Sequence, residues 1–116
     1  MNKKIALFAF NGEAMCFVHV LLNALDMKER GYDIKLVIEG SATKLITTLA
    51  EPDAPFADLY QQVKQAGLID AVCQACASKM GTREAAKAQN LPLSQEMSGH
   101  PSMAAYLEDG YEIVTL

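Results

Sequence analysis

Asp70-Ala71-Val72-Cys73-Gln74-Ala75-Cys76 holds the residues best suited to chemistry, two thiols separated by two positions. A cysteine where a strand ends and a helix begins lies near unpaired backbone N–H groups. These favour thiolate over thiol, and thiolate is both nucleophile and metal ligand. Lys79 and Arg83 bring positive charge into the same segment. The competing reading of Cys73, preceded by the apolar Ala71 and Val72, is a small buried hydrophobe closing a strand. Cys76 is the better candidate for a reactive thiol.

The Cys-x-x-Cys spacing has two further readings. A thioredoxin-type dithiol usually opens a helix soon after the first strand of its domain, whereas this pair follows the third predicted strand. Zinc would require four ligands, and Cys16-x-x-His19 with Cys73-x-x-Cys76 would supply them. Cys16 and His19 fall inside a predicted helix, on a polar stripe with Asn23 and Asp26, which fits solvated side chains better than ligands. Ser98-Gly99-His100-Pro101-Ser102 is the other polar cluster: His100 is a possible acid, base or phosphate partner, or part of a helix start at Pro101. Met15, Met27, Met80, Met97 and Met103 read as core or interface filler. Neither GxGxxG nor GxxxxGK[ST] occurs, Gly12 alone makes no phosphate cradle, and no hydroxyl-rich flavin loop is present. No cofactor and no resident metal are expected.

Alternating strands and helices must position these residues. Residues 4 to 10 read as a strand covered on both faces, and Asn11-Gly12 turns into a helix over 14 to 30 with the apolar stripe Ala14, Val18, Leu21, Leu22 and Leu25. Asp33 to Glu39 is a second strand, and Ser41 is placed to cap a helix running to about Ala50. Pro55 suits the first turn of the next helix, with core residues Phe56, Leu59, Tyr60, Val63 and Ala66. Leu68 to Cys73 is the third strand, and Thr82 is placed to cap a helix to about Gln89. Leu91 to Leu93 leads into a short or irregular fourth strand. A helix over Met103 to Glu108 and a strand over Tyr111 to Leu116 complete the chain. This alternation predicts an α/β fold: a single-domain, three-layer, parallel or mostly parallel sheet of about five strands with helices on both faces. Ligands of such sheets bind beyond the carboxyl ends of the strands, where the Asn11-Gly12 loop and the Cys73–Gly81 segment emerge.

The 116 residues suit one domain, and 51% hydrophobic with 21% charged content is a globular balance. The net charge of −4 and scattered basic residues argue against nucleic-acid binding. The apolar run after Lys4 is too short for a membrane span, and no small-residue cleavage site follows it. Three cysteines, an odd number, suit the cytoplasm better than a disulfide framework.

The order of strand, Asn11-Gly12 loop, long helix, Arg30-Gly31-Tyr32, the strand Ile34 to Glu39 with Gly40, and a cysteine segment after the third strand resembles the DsrE/DsrF-like family. Leu107-Glu108-Asp109-Gly110-Tyr111-Glu112-Ile113-Val114 is similar to that family's final helix, glycine and strand. The resemblance covers nearly the whole chain and implies a homo-oligomer, trimer or hexamer, that relays sulfur as a cysteine persulfide between donor and acceptor proteins. It matches the family's loop cysteine to Cys76, within Ala75 to Gly81. The implied function is a sulfur carrier or sulfurtransferase-type relay with Cys76 as the carrier and Cys73, Lys79, Asn11 and Gly12 in support. Many members lack the cysteine, so a non-catalytic assembly module of the same fold and a small zinc-binding protein remain as alternatives.

Overall fold

Five strands in the order β4-β3-β2-β1-β5, all parallel, form the single sheet of this computed structural model, which describes residues 3–116. The strands are β1 (Lys4–Ala9), β2 (Asp33–Ile38), β3 (Ile69–Cys73), β4 (Leu93–Ser94) and β5 (Glu112–Thr115). The helices are α1 (Ala14–Glu29), α2 (Leu45–Thr48), α3 (Ala57–Gln65), α4 (Gln74–Met80), α5 (Arg83–Ala88) and α6 (Met103–Glu108). Among the described residues no helix is long and apolar enough to cross a membrane.

The predicted α/β sheet is present, and its two faces are unequal. Ile5, Leu7 and Ala9 of β1 face a large core with Phe17, Val20, Leu21 and Ala24 of α1, Tyr60 and Val63 of α3, and Ala86 of α5. The opposite face has a small cluster of Ala6, Phe8, Val37, Ala71 and Tyr111, covered by Tyr106 of α6. Strand order explains the difference. From β1 to β4 the chain steps one way across the sheet, and right-handed crossovers then place the intervening helices on one face. Only the return from β4 to β5 reverses direction and lays α6 on the other.

Several local expectations are corrected. The buried face of α1 is Phe17, Val20, Leu21 and Ala24, while Leu22 is exposed and Val18 half-buried. This helix carries apolar residues nearly all round, so contact with the sheet, not periodicity, decides which side is buried. Ser41 caps no helix: Gly40–Lys44 forms a 3-10 turn ahead of α2. The Ser41 hydroxyl instead donates to the Phe10 carbonyl at 3.1 Å and accepts the Gly12 N–H at 3.0 Å. Phe56 lies outside the core, exposed and left-handed at φ 69° ahead of α3. Thr82 precedes α5 without capping it, and its buried hydroxyl donates to the Thr43 carbonyl at 2.9 Å. Met15, Met80 and Met97 are exposed and belong to no core. The fourth strand is only two residues long, at the sheet edge beside β3.

Candidate functional site

The carboxyl ends of β2 and β3 converge on one polar cluster. Glu39 follows β2, its N–H donating to the Ala9 carbonyl at 2.8 Å, so it continues the sheet by one residue. Cys73 ends β3 and Cys76 lies in the first turn of α4. Cys76 is therefore a helical residue, half-buried, and not the loop cysteine that the family resemblance implies.

The fourth member, His100, is delivered by a tight turn. Met97 and His100 exchange backbone hydrogen bonds of 2.8 and 3.0 Å around Ser98 and Gly99, both at positive φ (51° and 91°). Two such residues give the two-residue hairpin turn that favours glycine. The Ala75 N–H donates to the Gly99 carbonyl at 2.9 Å, docking the turn on the start of α4. A Cβ at Gly99 would lie 3.0 Å from the Ala75 Cβ, so only glycine allows this approach without displacement. The helix start predicted nearby is real but separate: Ser102 caps α6, its Oγ accepting the Ala105 N–H at 3.3 Å.

Within the cluster Cys73 Sγ is 2.9 Å from Cys76 Sγ and 3.0 Å from His100 Nδ1. Cys76 Sγ is 3.8 Å from the same nitrogen, which is 4.0 Å from Glu39 Oε1. The Cys76 N–H donates to Cys73 Sγ at 3.4 Å. Burial, reinforced by the hydrogen bond to Cys76, pushes the Cys73 thiol up to about 12. Burial also raises the Glu39 carboxyl, and His100 only partly offsets this. Cys73 is thus a protonated donor across the physiological range, next to a thiol with more access to solvent.

The residues singled out from sequence are distributed unevenly. Cys73 and Cys76 meet. Lys79 is exposed on α4, and Asn11 and Gly12 shape the loop after β1; none of the three belongs to the cluster. Asn11 Oδ1 accepts the Glu13 N–H at 2.8 Å, and a Cβ on Gly12 would lie 2.6 Å from the Ser41 carbonyl oxygen. Cys16 and His19 are exposed on α1, so the zinc set that paired them with the two thiols is not formed. Glu39 was not singled out from sequence, and its one signal was a carboxylate directly after the apolar run Leu36 to Ile38.

Over residues 1–116, the whole chain, the sequence matches the DsrE/DsrF-like family. The chain belongs to that family. An uncharacterized protein of Methanocaldococcus jannaschii is 34% identical over 99 residues, covering 85% of this chain and 78% of that protein. An uncharacterized protein of Archaeoglobus fulgidus is 47% identical over 51 residues, 44% of this chain and 84% of that one. A conserved protein of unknown function from Bacteroides thetaiotaomicron has a similar solved structure, with a TM-score of 0.70 at 17% identity, over 98% of this chain and 95% of that one. That likeness speaks to the fold alone. In this DsrE/DsrF-like chain the cluster of two thiols, an imidazole and a buried carboxylate occupies the sheet edge where ligands of parallel α/β folds bind.

Proposed function

We propose that this protein is a sulfur carrier that holds sulfane sulfur as a persulfide on Cys76. The inequality of two adjacent thiols carries this reading: Cys73 is buried and held protonated, whereas Cys76 is reachable and receives its hydrogen bond. Membership in the DsrE/DsrF-like family, with its association with sulfur relay, supports it.

The chemistry follows from the distances. His100 Nδ1, 3.8 Å from Cys76 Sγ, takes the Cys76 proton, and the Glu39 carboxylate at 4.0 Å favours the resulting imidazolium. The Cys73 S–H donates to the Cys76 sulfur and stabilises its thiolate. This thiolate attacks the outer sulfur of a donor persulfide. A sulfur–sulfur bond to Cys76 forms, the donor's breaks, and the donor thiolate leaves with the electron pair and recovers the proton from His100. An acceptor thiolate then attacks the outer sulfur and Cys76 departs as thiolate. The transferred sulfur keeps its oxidation state, so no external oxidant is needed.

Donor and acceptor are proteins in this reading. Phe10, Met97 and Leu116 are exposed hydrophobic residues at or near the carboxyl edge of the sheet and offer apolar contacts along that edge; Met97 belongs to the turn that presents His100. A homo-oligomer, trimer or hexamer, is proposed with it, and light scattering on the purified chain reads its size.

Intact-mass measurement after incubation with a persulfide donor tests the carrier. Wild type gains one sulfur atom and Cys76→Ser gains none. Equal loading of both, or no loading of wild type, defeats the reading.

A further inference from the structure

We infer that Glu39, Cys73, Cys76 and His100 together form a tetrahedral site for a divalent ion of the zinc class. Their donor atoms come from four places in the chain, the ends of β2 and β3, the first turn of α4 and the turn after β4, and all lie within 4.8 Å of one another. The site shares these residues with the sulfur-carrying reading but does not rest on it, since metal binding and sulfur loading are read by separate measurements.

Chemistry and geometry both favour the ion. Two cysteines, a histidine and a carboxylate are the donor types zinc selects, and two thiolates with one carboxylate more than balance its charge. Zinc lies about 2.3 Å from sulfur and about 2.0–2.2 Å from nitrogen or oxygen, which sets tetrahedral donors roughly 3.3–3.8 Å apart. The Cys76 Sγ to His100 Nδ1 distance of 3.8 Å already falls there. The two sulfurs at 2.9 Å must open by slightly less than 1 Å, and His100 and Glu39 at 4.0 Å must close by less than that. Cys73 Sγ and His100 Nδ1, at 3.0 Å, must open by about 0.5 Å.

The surroundings point the same way. Glu39 is 7% exposed, and among the described residues its only ionic neighbour is His100, which is no permanent cation. Burying a carboxylate without a compensating charge is unfavourable, and a bound divalent ion supplies that charge. The Cys76 N–H already aimed at Cys73 Sγ provides the outer hydrogen bond that orients a thiolate ligand. Cys73, although hard to deprotonate in the metal-free protein, surrenders its proton to a coordinating ion as thiol ligands do.

Binding would engage the same Cys76 sulfur that carries the persulfide, so metal and sulfur would compete. Zinc bound to the reduced chain then slows sulfur loading, and chelation restores it.

The probe is Co2+ added anaerobically to the reduced, chelator-treated chain of residues 1–116. Expected are intense thiolate-to-cobalt charge-transfer absorption in the near ultraviolet and tetrahedral ligand-field bands in the visible, saturating at one ion per chain and abolished by Zn2+. Cys16→Ser leaves the titration unchanged. Glu39→Gln and His100→Gln each weaken binding by about tenfold or more, the least expected for a lost ligand when even outer partners are worth that much. Far-UV circular dichroism verifies that each variant is folded. Absence of charge-transfer bands at one equivalent overturns the site. So does unchanged affinity in both folded Glu39→Gln and His100→Gln, which would reduce it to adventitious binding by two thiols. Sulfur loading is measured separately on metal-free protein, so its failure leaves the metal result intact, and the reverse.

Discussion

Cys73 Sγ lies 2.9 Å from Cys76 Sγ, yet the two thiols have different surroundings: the first is fully buried at the end of β3, the second half-buried on α4. Alkylation at neutral pH therefore distinguishes them. In a Cys16→Ser background, which removes the exposed third thiol, iodoacetamide modifies Cys76 first and Cys73 only after unfolding. Peptide mapping at partial modification reads the order, and equal labelling of Cys73 and Cys76 in the folded protein contradicts it.

The raised Cys73 thiol has a consequence for alkaline stability. Its folded value of about 12 exceeds the ordinary 9.0, so the unfolded chain releases this proton first as pH rises. The contribution is fully present below pH 9.0 and is lost as pH climbs towards 12. Tyr111, raised mainly by burial to about 12, falls in a similar window, so the Cys73→Ala variant is the necessary comparison. Denaturant unfolding across that range should show a shallower decline in Cys73→Ala than in wild type.

Glu39 has the same sign at lower pH. Burial raises its carboxyl above the ordinary 4.5, so its favourable contribution is complete below that value and disappears as pH rises through the folded one. Above the folded value, this buried group works against the fold of the metal-free protein. Glu39→Gln, a neutral group of nearly the same shape, should raise Tm of chelator-treated protein at pH 7, with the gain shrinking in acid. A lower Tm at pH 7 would show that the carboxylate stabilises the fold.

Gly99 holds the turn that presents His100. Gly99→Ala puts a side chain at φ 91° and a Cβ 3.0 Å from that of Ala75. A residue forced into such a conformation costs about 1–3 kcal/mol. Chemical denaturation should register that loss, and sulfur loading should slow with it, because displaced turn and displaced imidazole are one event.

His100→Gln tests the imidazole as the base. Loading of Cys76 from a persulfide donor at neutral pH should slow by about a hundredfold, the lower end for a positioned acid–base group. At a pH high enough to ionise Cys76 without help, variant and wild-type rates should converge. A constant ratio at all pH values would assign His100 a positioning role instead.

Much of the framework was legible because it rests on local patterns. The apolar run from Ile5 to Ala9 made a strand covered on both faces, and β2, β3, α1 and α6 lie within a residue or two of their predicted limits. The legibility failed where long-range contact decides. Ser41 and Thr82 looked like caps because hydroxyls commonly serve there, but their partners are the Phe10 and Thr43 carbonyls, 31 and 39 residues away in sequence. The segment after Leu93 gave no periodic signal, since its order comes from the Ser98–Gly99 turn resting on Ala75.

The sequence by itself determined the parallel α/β framework, the family, and the placement of Cys73 and Cys76 at a strand-to-helix junction. Those features follow from residues close together in the chain, where spacing and side-chain type act directly. Only the tertiary structure decided that Glu39 and His100, not Cys16 and His19, stand beside the two thiols. The reason is topological: the ends of β2 and β3 are neighbours in the sheet, and a turn after β4 folds back across them, bringing together residues up to 61 positions apart.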